Sequence, residues 1–316
     1  MIENEFAIEI NGNRIAGTVC LPDSDKPYPI VLFIHGSGPV DRNENIKGFK
    51  INAFNTIAHY LADYEIGSLR YDKRGCGKSK GNYNSTGHAD LVADAQGLVE
   101  YLMQSDFCDR DQIYLLGHSE GTIIAPQVSN ANSLIAGLIL LCPFVQPLHD
   151  VLKQQANHVS QDIQNISGIK GKLLRLVIGF LGDPINIQEK LIERIRQSTT
   201  PTIKYKLKTI NALWFREILV IDAESIFQQV ACPMLVIGGE KDIQCDPDDV
   251  ESIKNIAPSE VETHIIQNMT HLLRCDEEEP SIFNYKKLIK QDFEHQVLEL
   301  SQQWLMKHID GSSIES

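Results

Sequence analysis

Apolar and polar positions alternate at the start of the chain. Phe6, Ile8 and Ile10 recur at every second residue, Asn11-Gly12-Asn13 follows, and an apolar stretch covers 15–21. A period of two on both sides of an Asn-Gly pair predicts two strands joined by a tight turn. Residues 22–29 read as a connector. Ile30-Val31-Leu32-Phe33-Ile34 is a continuous run rich in β-branched residues, the pattern of a strand buried on both faces. The period then switches repeatedly. Residues 53–64 have helical spacing and 66–71 read as a strand. Leu91, Ala95, Leu98, Val99 and Leu102 share one side of a helix over 89–103. Strand 113–117, helix 120–130 and strand 134–141 continue the series. Strands alternating with helices predict a mostly parallel sheet covered on both faces.

The rhythm breaks after Pro143. Residues 145–227 read as helical, with no convincing strand, far beyond the roughly 2–6 residues that usually connect α/β units. The segment is expected to be a helical cap inserted into a core made of 1–144 and 228–316. Its Leu173-to-Leu181 stretch falls short of the roughly 20 residues a bilayer demands and reads as a cap helix packed on the core. The core pattern resumes with strand 234–237, helix 246–255, strand 261–266 and a long helix over 286–308. The last residues, 310–316, are expected to be disordered.

Composition narrows the function. The 316 residues carry 42 acidic and 29 basic side chains, a formal net charge of −13. Such a surface repels phosphate backbones and anionic lipid, so neither nucleic acid nor a membrane is an expected partner. The N-terminus lacks the plan of a signal peptide. Seven scattered cysteines without a C-x-x-C pair argue against a disulfide framework or a zinc site. A cytoplasmic location is the simplest expectation. The sequence is silent on oligomeric state.

The chemistry centres on Gly117-His118-Ser119-Glu120-Gly121, a G-x-S-x-G pattern between a predicted strand and a predicted helix. The chain must turn sharply there, which strains the serine and leaves no room for side chains at 117 and 121. Ser119 is the expected nucleophile, and a serine hydroxyl needs a base. Of the ten histidines, His271 stands in the loop after the last predicted strand, where the base of such a site belongs. The base needs a carboxylate. The strand over 234–237 runs into Gly238-Gly239-Glu240-Lys241-Asp242; Asp242 is the preferred acid and Glu240 the alternative. No acid follows the preceding strand, where Cys142-Pro143-Phe144 stands. The order Ser119, Asp242, His271 differs from that of trypsin-like and subtilisin-like proteases. The oxyanion is expected to meet the backbone N–H of Glu120 and that of Ser37, with Gly38 as alternative to Ser37. Residues 74–79 end like a P-loop, but Asp72 stands where that pattern requires glycine. None of the cysteines sits in an elbow, and Cys245 beside Asp242 reads as incidental.

These blocks together resemble the α/β-hydrolase superfamily over about 6–308, with the Arg-Gly-x-Gly-x-Ser segment 74–79 a further shared block. Gly36-Ser37-Gly38-Pro39-Val40-Asp41-Arg42 and Trp214-Phe215-Arg216 are similar to segments of a group of bacterial carboxylesterases. The resemblance implies an eight-stranded, mostly parallel α/β-hydrolase sheet, hydrolysis of small-molecule carboxylic esters of short to medium acyl chain through an acyl-enzyme, and no cofactor or metal. A serine peptidase of aminopeptidase type, or a thioesterase, would use the same triad, and an acidic patch for a free amino terminus would favour the peptidase. A binding protein on an inactive hydrolase scaffold is the remaining alternative. Asp41 and Arg42 are expected to form a structural ion pair.

Overall fold

The computed structural model describes residues 1–22, 26–166, 168 and 184–312. Strands β1 (Ile2–Ile10) and β2 (Asn13–Leu21) pair antiparallel with Ile10 opposite Asn13. Asn11 and Gly12 both take positive φ, 49° and 74°, as a two-residue hairpin turn of matching twist requires. The chain continues through β3 (Tyr28–Ile34), α1 (Ala53–Ala62), β4 (Gly67–Tyr71), α2 (His88–Met103), β5 (Cys108–His118), α3 (Gly121–Asn130) and β6 (Ile135–Leu141). An insert carries α4 (Leu148–Asn165), α5 (Pro184–Gln197), β7 (Thr202–Tyr205), β8 (Lys208–Asn211), α6 (Ala212–Ile218) and α7 (Ala223–Phe227). The core resumes with β9 (Met234–Gly239), α8 (Asp249–Ile256), β10 (Val261–Ile266), α9 (Tyr285–Leu288) and α10 (His295–Ser312).

Eight strands form one sheet in the order β1-β2-β4-β3-β5-β6-β9-β10. The pairs β1–β2 and β2–β4 are antiparallel, and every later pair is parallel. This is the expected mostly parallel sheet. The apolar run in β3 serves both faces. Ile30, Leu32 and Ile34 pack with α2 and α3, while Val31 and Phe33 pack with α1 and α10. No water reaches either side, which explains why the run carries no polar alternation.

Three expectations need correction. The insert is not purely helical, because β7 and β8 form an antiparallel hairpin. Each strand has only four residues, and the left-handed turn position is Lys206 rather than glycine or asparagine, so the usual turn signal is missing. The final helix is not continuous, since α9 ends at Leu288 and α10 begins at His295. No glycine or proline breaks it. Tertiary contacts do: the Glu294 N–H donates to the Leu273 carbonyl at 3.0 Å, and the Arg274 guanidinium lies 5.1 Å from the Phe293 ring centre. Strand β5 begins at Cys108, five residues before the apolar run, because Cys108 pairs with Tyr28 ahead of a register shift, after which Ile113 pairs with Ile30. The Leu173-to-Leu181 stretch lies outside the described residues, as do 313–316 of the tail; α10 runs through 310–312.

Candidate active site

The C-terminal ends of the parallel strands converge on one edge of the sheet, where ligands of open α/β sheets bind. Strand β3 leads into His35-Gly36-Ser37, β4 into Asp72-Lys73-Arg74, β5 into Ser119, β9 into Asp242 and β10 into the His271 loop.

Ser119 has φ 53°, a left-handed conformation costing about 1–3 kcal/mol in a non-glycine residue. Its N–H donates to the Leu141 carbonyl at the end of β6 at 3.0 Å, which helps to hold the bend. The glycines are needed for the reason expected. A Cβ at Gly117 would sit 2.3 Å from the Gly121 carbonyl oxygen, and one at Gly121 would sit 2.1 Å from the Ile34 carbonyl oxygen. The elbow therefore exists only because strand, turn and helix pass at backbone distance.

His271 and Asp242 meet. The His271 Nδ1–H donates to Asp242 Oδ2 at 2.7 Å, and both side chains are buried. Asp242 Oδ1 accepts the N–H groups of Gln244 at 2.8 Å and Cys245 at 3.0 Å, which aims Oδ2 at the imidazole. Burial pushes the Asp242 carboxyl up, but the charge and hydrogen bond of His271 with the two N–H donors outweigh it, so it lies below the ordinary carboxylate value. Glu240 points elsewhere. It is exposed and accepts the Asn268 N–H at 2.9 Å. The Ser119 hydroxyl makes no hydrogen bond among the described residues. It shares a cavity of about 160 Å³ with His271, Ser37, Glu44 and His118. Catalytic hydrogen bonds of this kind often tighten only when substrate is bound.

The Ser37 and Glu120 N–H groups also have no partner among the described residues, and both residues line a second cavity of about 80 Å³ beside Ser119. Its other walls include Phe144 and Gln244, with Leu148, Val151, Leu152, Gln155, Trp214 and Ile218 of the insert. An apolar cavity of about 390 Å³ shares Ile46, Phe49, Gln244 and Tyr285 with the first, and Gln155 and Gln244 with the second.

Asp41 and Arg42 do not pair with each other. Arg42 binds Asp72 through Nη2 at 2.7 Å and Nε at 3.1 Å, whereas Asp41 caps its own turn by accepting the N–H groups of Asn43 and Asn45. The segment that ends like a P-loop is a turn closed on Asp72, whose Oδ2 accepts the Lys78 N–H at 2.8 Å. Two clusters at the site, His118 with Cys142 and His271, and Asp242 with Cys245 and His271, bring metal-type donors within 4.8 Å of one another. In them His118 Nδ1 faces Glu44, His118 Nε2 faces the His271 carbonyl, and His271 Nδ1 is bound to Asp242. Burial, followed by the Asp242 charge, pushes the Cys142 and Cys245 thiols well up, which disfavours the thiolates a metal would need.

Over residues 26–278 the chain matches the Hydrolase_4 family, described as serine aminopeptidase, S33. It belongs to that family. Esterase EstD of Thermotoga maritima is 27% identical over 303 residues, covering 95% of this chain and 67% of that protein. Among solved structures, Est1E from Butyrivibrio proteoclasticus with ferulic acid bound is similar with a TM-score of 0.64 at 16% identity, covering 96% of this chain and 99% of that one. The α/β-hydrolase GrgF from Penicillium sp. sh18 is similar with a TM-score of 0.63 at 14% identity, covering 98% and 99%. The fold is that of the α/β-hydrolases, and the chain is a hydrolase of that superfamily.

This Hydrolase_4 chain also carries buried charge at the site that its sequence did not reveal. Glu44 Oε1 accepts the Gly36 N–H at 2.8 Å and faces His118 Nδ1 at 2.8 Å, while His118 Nε2 faces the His271 carbonyl at 3.0 Å. A carbonyl only accepts, so Nε2 carries a proton. Burial pushes the His118 pKa down, but the Glu44 charge and hydrogen bond outweigh this and raise it, while Glu44 itself is held low by His118 despite burial. Both shifts favour the charged forms of the pair. Lys73 is 1% exposed and pairs with Glu120 at 2.9 Å. Burial raises the Glu120 carboxyl, but Lys73, His88 and Trp214 together pull it down to about 2. One signal pointed to Lys73: charged residues directly after a buried strand stand at the sheet edge that holds the site.

Proposed function

We propose that this chain is a serine hydrolase of carboxylic esters, with Ser119 as nucleophile, His271 as general base and Asp242 as its orienting acid. The observation that carries the reading is the Asp242–His271 pair at 2.7 Å, with the imidazole lining the cavity that also holds the strained Ser119. The substrate carbonyl oxygen would sit against the Ser37 and Glu120 N–H groups. His271 takes the serine proton, the tetrahedral oxyanion forms, and the proton passes to the leaving alkoxide. Water then cleaves the acyl-enzyme by the same route, with no cofactor. The similarity to Esterase EstD and the Gly-Ser-Gly-Pro-x-Asp-Arg loop at 36–42 support ester substrates. The insert acts as a cap over the site, supported by its six residues that line the small cavity. The reading includes a cytoplasmic location. Seven free thiols support it, and among the described residues no helix is long and apolar enough to cross a membrane.

The two sides of the nucleophile differ in a way that sorts the substrate. His271 must protonate the leaving oxygen, and it lines the 160 Å³ cavity but not the 80 Å³ one. The alcohol therefore occupies the former, which continues into the 390 Å³ apolar space, and the acyl chain occupies the latter. An apolar cavity of about 150 Å³ admits benzene. Half that volume suits an acyl chain of a few carbons. With p-nitrophenyl esters graded from acetate to decanoate, kcat/KM is expected to peak at the short end and to fall about tenfold or more once the chain outgrows the cavity. Faster turnover of decanoate than of butyrate would overturn the assignment of the pockets.

One observation favours a peptidase. Glu44 lines the site cavity, and its Oε2 is buried without a partner among the described residues, as an acceptor for a substrate ammonium would be. His118 Nδ1 already faces that carboxylate at 2.8 Å, so the ester reading stands first. Aminoacyl-naphthylamides compared with the short esters decide between them: preferred amide turnover selects the peptidase, and no turnover of either selects the binding protein.

A further inference from the structure

We propose that Lys73 is the positioning residue of the oxyanion hole, fixing the direction of the Ser37 N–H and gripping the side chain of Glu120, which carries the second N–H. This rests on the serine-hydrolase reading above. The Lys73 Nζ donates to the Gly36 carbonyl at 2.6 Å and to Glu120 Oε2 at 2.9 Å. In a trans peptide the C=O and the following N–H point in opposite directions. The Gly36 carbonyl and the Ser37 N–H belong to one peptide plane. By drawing the carbonyl toward the interior, Lys73 turns the Ser37 N–H outward, to the cavity shared with Ser119.

The preceding plane is held as well, because the Gly36 N–H is bound by Glu44. Both planes flanking Gly36 are thus fixed by charged, buried side chains rather than by the loop itself. A Cβ at Gly36 would lie 3.2 Å from both Glu44 Oε1 and the Ser119 Cβ, so the loop passes close to the nucleophile. On the other side, Glu120 is locked by Lys73 and by the indole N–H of Trp214, which the insert supplies to Oε1. A buried ion pair seldom adds stability over an apolar pair of the same volume. Its geometry gives this one a purpose, since a single ammonium touches the peptide of one donor and the side chain of the residue bearing the other.

The test compares wild type with Lys73→Met/Glu120→Gln, a neutral pair that strands no buried charge, and with the charge-conserving Lys73→Arg. Turnover of p-nitrophenyl butyrate and inhibition by a trifluoromethyl ketone, whose hemiketal oxyanion occupies the hole, are measured on each. For the double variant, kcat is expected to fall about 100-fold with KM changed less than about threefold, and the inhibition constant to rise by about the same factor as kcat falls. Lys73→Arg is expected to recover part of the loss. It also carries the test alone if the double variant does not fold, by a kcat below wild type at unchanged KM. Wild-type kcat in a folded variant, or a loss in KM alone, overturns the proposal. Absence of wild-type turnover removes the hydrolase reading and this proposal together, whereas an active wild type with an unaffected variant removes only this one.

Discussion

Ser119→Ala is expected to lower kcat for p-nitrophenyl butyrate by about 10⁶-fold while leaving the melting temperature within about 2 °C of wild type. The activity loss follows from removing the only atom that can form the acyl bond in this mechanism. His271 and the N–H donors remain, but they have no nucleophile to activate or stabilise, and only the slow attack of water over a bound ester persists. The stability half of the prediction rests on the surroundings of the hydroxyl. It has no hydrogen-bond partner among the described residues, so its removal leaves no donor or acceptor stranded. Alanine at φ 53° carries the same Cβ penalty as serine, and the Ser119 N–H keeps its bond to the Leu141 carbonyl. Kinetics and thermal unfolding on the same preparation check both halves. Wild-type turnover in a folded variant would remove Ser119 from the mechanism.

The elbow was legible in the sequence because its constraint is local. Two glycines bracket the serine, and the reason is a backbone contact that any side chain would break. The buried strand β3 was legible for a similar reason, since a run with no polar residue has no face to offer water. Asp242 and Glu240 were harder to separate. They lie in one turn, and only the N–H groups of Gln244 and Cys245 reveal which carboxylate is aimed inward. Glu44 and His118 were opaque as members of a site, and Lys73 was marked only by its place directly after a buried strand. Nothing local in Asp72-Lys73-Arg74 or Asp41-to-Asn45 announces burial, because the partners that allow it stand far along the chain: Glu120 is 47 residues from Lys73, and His118 is 74 residues from Glu44. Burial of charge is a property of a pair, and a pair separated this widely leaves no local pattern. The break before α10 was missed for the same cause, since the Leu273 carbonyl that captures the Glu294 N–H comes from the loop bearing His271.

Asp242→Asn is expected to reduce kcat by about 10⁴-fold, whereas Glu240→Gln stays within about threefold of wild type. The difference is one of proton placement. Asp242 Oδ1 accepts two backbone N–H groups, and the asparagine carbonyl is the only atom of the new side chain that can do the same. Its NH2 group then faces His271 Nδ1, which must accept. The imidazole proton moves to Nε2, and the lone pair that should take the serine proton is gone. Glu240 loses only a surface hydrogen bond to the Asn268 N–H and alters no group at the nucleophile. The same carboxylate sets a stability signature. Its folded pKa lies below the ordinary value of about 3.9, so its contribution is full above that pH and is lost as pH falls through the folded pKa. The melting-temperature gap between wild type and Asp242→Asn should therefore be widest near neutrality and shrink on acidification below about pH 4. Equal, mild kinetic effects of the two substitutions, or a gap that widens on acidification, would show that Asp242 is not the buried charged partner of the base.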